Sequence, residues 1–371
     1  MDADQDDITP FWIPLSFFSF LLTLFPPLLP LDSNLVRPPF QLLFFTMTAS
    51  DKNSSPSSPE SAQESHDIIS PITAQSSRSP PPDCGPLFDF ETSSPQMPIV
   101  CSARTIKSVS EALALITTAL KDHSTEVNAG ARVKLTDVPP ALGPLIIAVV
   151  EEDRDSFPRK YRKSWNSRDL VLYLKVPTRV HNSVQRWWIR CTSELERNSI
   201  ITPDEKNEID GEFGTTLHLP SSPYSQSIKE PDVLIDPFDD LDLPSVVIEC
   251  GWSESADELE ADAEMLLRGS AGQTRVAVLV KFHLSKAHAR VYGEASVWEL
   301  DGLDQLVKRQ TETIFPQPTL HQTQALRITR GELWRGALGA MRNPREPLNF
   351  SIDILREFAT ERLEKMGLRP A

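Results

Sequence analysis

EPDVLIDPFDDLDLPSVVIECGW, residues 230–252, holds two short apolar runs with a turn-rich segment between them. Each run is rich in Val, Ile and Leu and is bounded by Pro, Asp or Gly, which is how short buried strands read. Each also contains a carboxylate: Asp232 directly after Pro231, and Glu249 inside Val246-Val247-Ile248-Glu249-Cys250. A carboxylate inside a buried strand is costly unless it is paired or bound to a metal. Strand side chains alternate between faces, so Val247, Glu249 and Gly251 share one face. In a hairpin whose loop is DPFDDLDLP, Asp232 and Glu249 can face each other across the two strands. A divalent cation would relieve their repulsion, polarise a phosphoryl oxygen and activate water.

The pattern extends outward on both sides. Residues 177–195 (PTRVHNSVQRWWIRCTSEL) repeat apolar positions at three and four, the mark of a helix packed on a core. Residues 214–219, 230–236 and 245–252 are predicted strands, and residues 256–268 a helix with Leu259, Ala263, Leu266 and Leu267 on one side. Residues 275–284 and 289–300 are predicted strands, the first parallel to 245–252 because a helix intervenes. A further strand is expected at 326–329 and a closing helix at 351–366. The expected fold class is therefore α/β: helix, three-stranded antiparallel meander, helix, parallel strand, further strand. No GxGxxG, Walker loop or GxSxG elbow is present.

PD at 231–232 followed seventeen residues later by an acid in an apolar strand resembles the PD-(D/E)XK nuclease superfamily. The longer run KEPDVLI…PSVVIECGWSES…LEADAEMLL…VAVLVKF is similar to a group of uncharacterised fungal proteins assigned to it, over roughly residues 175–300. The resemblance implies a restriction-endonuclease-like core and hydrolysis of nucleic-acid phosphodiester bonds with Mg²⁺ or Mn²⁺. It implies Asp232 and Glu249 as metal ligands, with the Cys250 backbone carbonyl as a third donor. The superfamily's lysine two positions after the glutamate is missing, because position 251 is Gly. Lys281, on the neighbouring parallel strand and on the same face as Ala277 and Leu279, is the candidate replacement. A strand-end lysine reaching solvent is the competing reading. The alternative function is a catalytically inactive member of this fold that binds nucleic acid or a protein partner.

Between Arg154 and Arg190 stand ten basic residues and two acids, interleaved with Tyr161, Trp165, Trp187 and Trp188. Cations and aromatics so mixed suit a nucleic-acid groove, with Arg159, Lys160, Arg162 and Lys163 as its densest part. A solvated basic face is the competing reading. The acidic face of helix 256–268 (Asp257, Glu258, Glu260, Asp262 and Glu264) reads as solvated. Ser253 and Ser255 read as helix caps, Glu194 and Glu196 as solvated, and His181 as structural.

The chain has 371 residues, 37 basic and 52 acidic, for a formal charge of -15. That excludes a histone-like coat on nucleic acid. Residues 1–97 hold 12 of the acids and 3 of the bases, a net of -9, which leaves -6 for the rest. Prolines number 32 against 14 glycines, concentrated towards the N-terminal side, where 47–97 is Ser/Pro-rich and expected to be disordered. Residues 1–46 read as an apolar extension ahead of a start at Met47. A membrane anchor over 11–31 is the alternative, although prolines interrupt the run. Residues 98–176 read as an accessory helix and basic segment, and 177–371 as the nuclease-like domain. Four scattered cysteines (Cys84, Cys101, Cys191 and Cys250) form no CxxC pair and point to a reducing, intracellular setting, nucleus or cytoplasm. RKYRK at 159–163 is a weak nuclear-import match.

Overall fold

The segments RVKLT and VLYLK alternate polar and apolar side chains and form strands with one apolar and one polar face, and RKSWN joins them with Trp165 on the apolar face. A computed structural model describes residues 98–122, 132–153, 157, 161–209, 211–237, 241–252, 254–285, 290–319, 323–336 and 342–371. All of these lie in one of the chain's two units, 83–371. The expectations for 1–46 and 47–97 fall outside the described residues.

In chain order the first part runs β1 (Ile99–Ser102), α1 (Val109–Asp122), β2 (Arg132–Thr136), α2 (Gly143–Glu152), β3 (Arg162–Asn166) and β4 (Val171–Lys175). Next come α3 (His181–Arg197), α4 (Pro203–Glu208), β5 (Gly211–Glu212), β6 (Leu217–His218), β7 (Ile228–Lys229), β8 (Val233–Ile235) and β9 (Val246–Gly251). The chain then continues through α5 (Ala256–Gly269), β10 (Val276–Ser285), β11 (Arg290–Leu300) and β12 (Leu306–Phe315). It closes with β13 (Ala325–Thr329), α6 (Arg330–Trp334), β14 (Pro347–Ser351), α7 (Ile352–Glu364) and β15 (Arg369–Pro370).

Two sheets result. The first has the order β1-β2-β4-β3-β7-β6, the second β12-β11-β10-β9-β8-β5 with β15 added beside β11, and β13 and β14 pair as a separate ribbon. Within the second sheet β9 and β10 are parallel, while β5, β8 and β9 run antiparallel to one another in turn. The molecule is thus a mixed α/β structure, and among the described residues it has seven helices.

One expectation changes at the meander. Its outer strand is Gly211–Glu212, whereas Leu217–His218, inside the expected strand 214–219, pairs with β7 in the first sheet. Gly211 suits the outer position because a Cβ there would come within 2.9 Å of the Trp188 indole, which fills the space. Residues 98–176 are also more than a helix and a basic segment. They supply four of the first sheet's six strands, with α1 and α2 covering its apolar face.

Both faces of the second sheet are buried at β9, which fits its being apolar almost throughout. On one side Val246, Ile248 and Cys250 pack in a core with α3, α7 and the β13–β14 ribbon. There Trp188 stacks on Phe350 with ring centroids 4.9 Å apart. On the other side Val247, Ala277 and Leu279 meet Leu259, Ala263 and Leu266 of α5. The N-terminus of α5 is fixed by a reciprocal capping box between Ser255 and Glu258. Among the described residues no helix is long and apolar enough to cross a membrane.

Candidate functional site

Register sets the geometry of the two acids. Val233 pairs with Ile248 and Leu234 with Val247, so Asp232 lies opposite Glu249 at the next step. Both point to the α5 side of the second sheet, and each is 1% exposed. Oδ2 of Asp232 accepts the Cys250 N–H at 2.8 Å, which ties the start of β8 to the end of β9. The other oxygen, Oδ1, is buried without a hydrogen bond, as is Oε1 of Glu249. Arg162 Nε lies 3.4 Å from the first and Lys229 Nζ 3.2 Å from the second. Burial pushes the Glu249 carboxyl up to about 8; Lys229 works against that rise and the charge of Asp232 adds to it.

The remaining charges around the acids come largely from the first sheet. Arg162 donates to Glu230 Oε1 at 2.5 Å, and Lys163 reaches Glu230 at 3.0 Å and Glu151 at 2.9 Å. Lys229 has a second anion, Asp262 of α5, at 2.5 Å. Burial alone would lower the Lys229 ammonium, but Asp262 and Glu249 together hold it above its ordinary value. Lys175 is buried and donates to Glu254 Oε1 at 2.8 Å. Burial opposes ionisation of Glu254, and the Lys175 charge overcomes it, taking that carboxyl down to about 2. His181 is buried nearby, its Nδ1 accepting the Thr178 N–H at 3.0 Å, and burial depresses its protonation.

The acidic helix and the basic strands turn out to be each other's partners. Glu258 binds Arg132 at 2.8 Å, Lys134 at 3.2 Å and the Tyr173 hydroxyl at 3.1 Å. Glu264 lies 3.3 Å from Arg168, and Asp262 holds Lys229. Glu258, Asp262 and Glu264 thus form a charged interface between α5 and the first sheet, whereas Asp257 of α5 and Arg186 and Arg190 of the basic stretch are exposed, as the solvated reading expects. A cavity of about 20 Å³ remains within it, lined by Arg132, Tyr173, Lys175, Lys229 and Glu254 among others. That is room for about one water-sized occupant.

The sequence-derived candidates are placed as follows. Asp232 and Glu249 come together on one face. Cys250 turns its side chain to the opposite core, where burial pushes the thiol well up. Lys281 stands beside Gly251 in register, and its ammonium donates to the backbone carbonyl of Glu254. Its proton is held less firmly than usual, because burial outweighs the nearby carboxylates. Arg162 and Lys163 direct their charges at Glu230, Asp232 and Glu151. Arg159 and Lys160 lie outside the described residues. Trp165, Trp187 and Trp188 are at most 1% exposed, so they are core residues and offer no face to a nucleobase. Ser255 caps α5 as expected.

Lys175, Lys229, Glu230 and Glu254 were not singled out from sequence. Lys229 and Glu230 immediately precede the Pro-Asp pair, and Lys175 ends an alternating VLYLK run, so signals existed at both places. A magnesium ion is commonly held by one or two carboxylates with water or phosphate completing its shell. The buried oxygens of Asp232 and Glu249 that lack hydrogen bonds fit that habit. Among the described residues no group of three His, Cys, Asp or Glu side chains is disposed to hold a metal. No family model, curated protein or solved structure matches the chain.

Proposed function

We propose that the chain carries a metal-dependent phosphodiesterase site of the PD-(D/E)XK type, acting on nucleic acid. The observation that carries this reading is the acid pair: two carboxylates on adjacent strands, one face, both buried, each with an oxygen lacking a hydrogen bond. Asp232 and Glu249 would hold Mg²⁺ or Mn²⁺, with the Cys250 carbonyl as the further donor the resemblance suggests. The ion would polarise a phosphoryl oxygen and lower the pKa of bound water. Gly251 leaves the motif's lysine position without a side chain. Lys281 is its register neighbour and reaches the acids only by leaving the Glu254 carbonyl.

A second reading is favoured by a specific observation: Arg162 and Lys229 already stand against Asp232 and Glu249 as internal counter-charges. In that reading the fold binds nucleic acid or a protein partner and does not cleave. Incubation of the full chain with mixed single- and double-stranded DNA and RNA, with and without Mg²⁺ or Mn²⁺, separates the two. The enzyme reading expects metal-dependent cleavage that is lost in Asp232→Ala and in Glu249→Ala. A folded, metal-replete protein that cuts none of these substrates leaves the binding reading in its place.

A further inference from the structure

Each acid of the pair lies against a cation from the first sheet, and each of those cations has a closer anion elsewhere. Arg162 of β3 has its Nε 3.4 Å from Asp232, while its guanidinium is 2.5 Å from Glu230. Lys229 of β7 has its ammonium 3.2 Å from Glu249 Oε1 and 2.5 Å from Asp262 of α5. The same pattern occurs twice: the shorter contact goes to an acid outside the pair, the longer one to an acid within it.

The two contacts of Lys229 differ in kind as well as in length. Asp262 Oδ2 accepts a hydrogen bond from the ammonium, whereas Glu249 Oε1 accepts none and meets it only as a neighbouring charge. Backbone pairing of Lys229 with Ser164 and Leu217 anchors the root of the side chain in the first sheet. Lys229 and Asp262 both line the cavity of about 20 Å³, and Glu249 does not, so free volume lies on the Asp262 side of the ammonium. The ammonium can therefore release Glu249 and still be paired. A lysine suits such a move, because its charge is compact and its stem flexible. A divalent cation at Glu249 carries charge of the same sign, and their repulsion across a poorly screened interior favours the release.

We propose that Lys229 is a shared counter-ion, covering Glu249 when the acid pair holds no metal and withdrawing to Asp262 when a divalent cation binds. The inference rests on the reading of Asp232 and Glu249 as the metal-binding acids. It adds that the Lys229–Asp262 pair sets how tightly the ion is held, which makes α5 part of the site.

The test is a Mn²⁺ titration of the full chain, read as the electron paramagnetic resonance signal of free Mn²⁺, with circular dichroism melts to confirm folding. Lys229→Met is expected to bind Mn²⁺ about tenfold or more tightly than the parent, since a like charge has been removed. Lys229→Gln reads the same quantity if the methionine variant does not fold. Lys229→Arg, which keeps the charge, is expected to stay within about threefold of the parent. Asp262→Asn leaves the ammonium only Glu249 to pair with and is expected to weaken binding about tenfold or more. The double variant Lys229→Met, Asp262→Asn, uncharged at both positions, is expected to return to within about threefold of the parent. A packing role alone would move the two single variants in the same direction. Unchanged or weaker binding in both uncharged Lys229 variants, or unchanged or tighter binding in Asp262→Asn, overturns the shared role. Glu249→Gln checks the underlying reading separately. If it leaves Mn²⁺ binding untouched in the parent and in Lys229→Met alike, the acid pair itself is not the metal site.

Discussion

At Gly251, the position to which the proposed PD-(D/E)XK reading would assign a lysine, α5 fills the side-chain space. A Cβ on residue 251 would lie 2.4 Å from Cδ1 of Leu259, 3.0 Å from its Cγ and 3.1 Å from Oε2 of Glu254. Carbon atoms in contact ordinarily sit about 3.5–4.0 Å apart, so the shortest of these contacts is more than ~1 Å too close. Leu259 is itself 1% exposed and packed against the sheet, so it cannot swing aside without disturbing its neighbours. Gly251→Ala is therefore expected to cost about 1–3 kcal/mol through overpacking. Leu259→Ala alone should cost about 2–5 kcal/mol through the void it leaves. Together the two changes should cost less than their sum by ~1 kcal/mol or more, because the added methyl occupies part of that void. Urea unfolding of the parent, both single variants and the double variant measures all three quantities. Strict additivity, or a Gly251→Ala cost under about 0.5 kcal/mol, would refute the claim that Leu259 closes this position. The corollary is that a single Gly251→Lys change cannot place a lysine here without displacing Leu259.

Two further outcomes follow from the charges. Glu249 titrates near 8 in the folded chain against an ordinary value of 4.5, so the folded state holds a proton that the unfolded state releases. Its contribution to stability is thus full below about 4.5 and lost as the pH rises toward 8; thermal melts from pH 5 to 8 should slope downward more steeply in the parent than in Glu249→Gln, and parallel slopes would refute the assignment. Glu254, held near 2, contributes in the opposite sense, above 4.5, and is lost only in strong acid, outside that window. Glu258→Gln leaves the buried Arg132 side chain without its anion and should cost on the order of 3 kcal/mol in urea unfolding. A loss under about 1 kcal/mol would place the α5 contacts among ordinary surface pairs.

The second sheet was largely legible because its signals are local. An apolar run with turn residues at each end marks β9, the Ser255–Glu258 spacing marks the start of α5, and an intervening helix makes β10 parallel to β9. The facing of Asp232 and Glu249 likewise follows from period-two alternation once the hairpin register is granted. The first sheet was not legible, and the reason is physical. Lys134 and Glu258 are 124 residues apart, and taken separately each belongs to a charged face that water could serve equally well. Only their apposition makes both faces interior. Trp187 and Trp188 carried two readings, the core face of their helix by spacing and a stacking platform by their basic neighbours, and their burial decides for the first. Lys281 was expected on the strand parallel to that of Glu249, which holds, while its register beside Gly251 and the loop carbonyl that holds its ammonium follow no periodicity.

The path of the chain between the sheets has its own consequence. From β5 in the second sheet it passes to β6 and β7 in the first, then returns to β8 in the second, so the segment that ends in Pro231-Asp232 is stitched across both. β7 pairs with β3, and Glu230 just beyond it is gripped by Arg162 and Lys163 of that same strand. The two layers are consequently joined by chain path and by ion pairs alike. Either layer without the other would leave Asp232 and Glu249 buried with no Arg162 or Lys229 beside them.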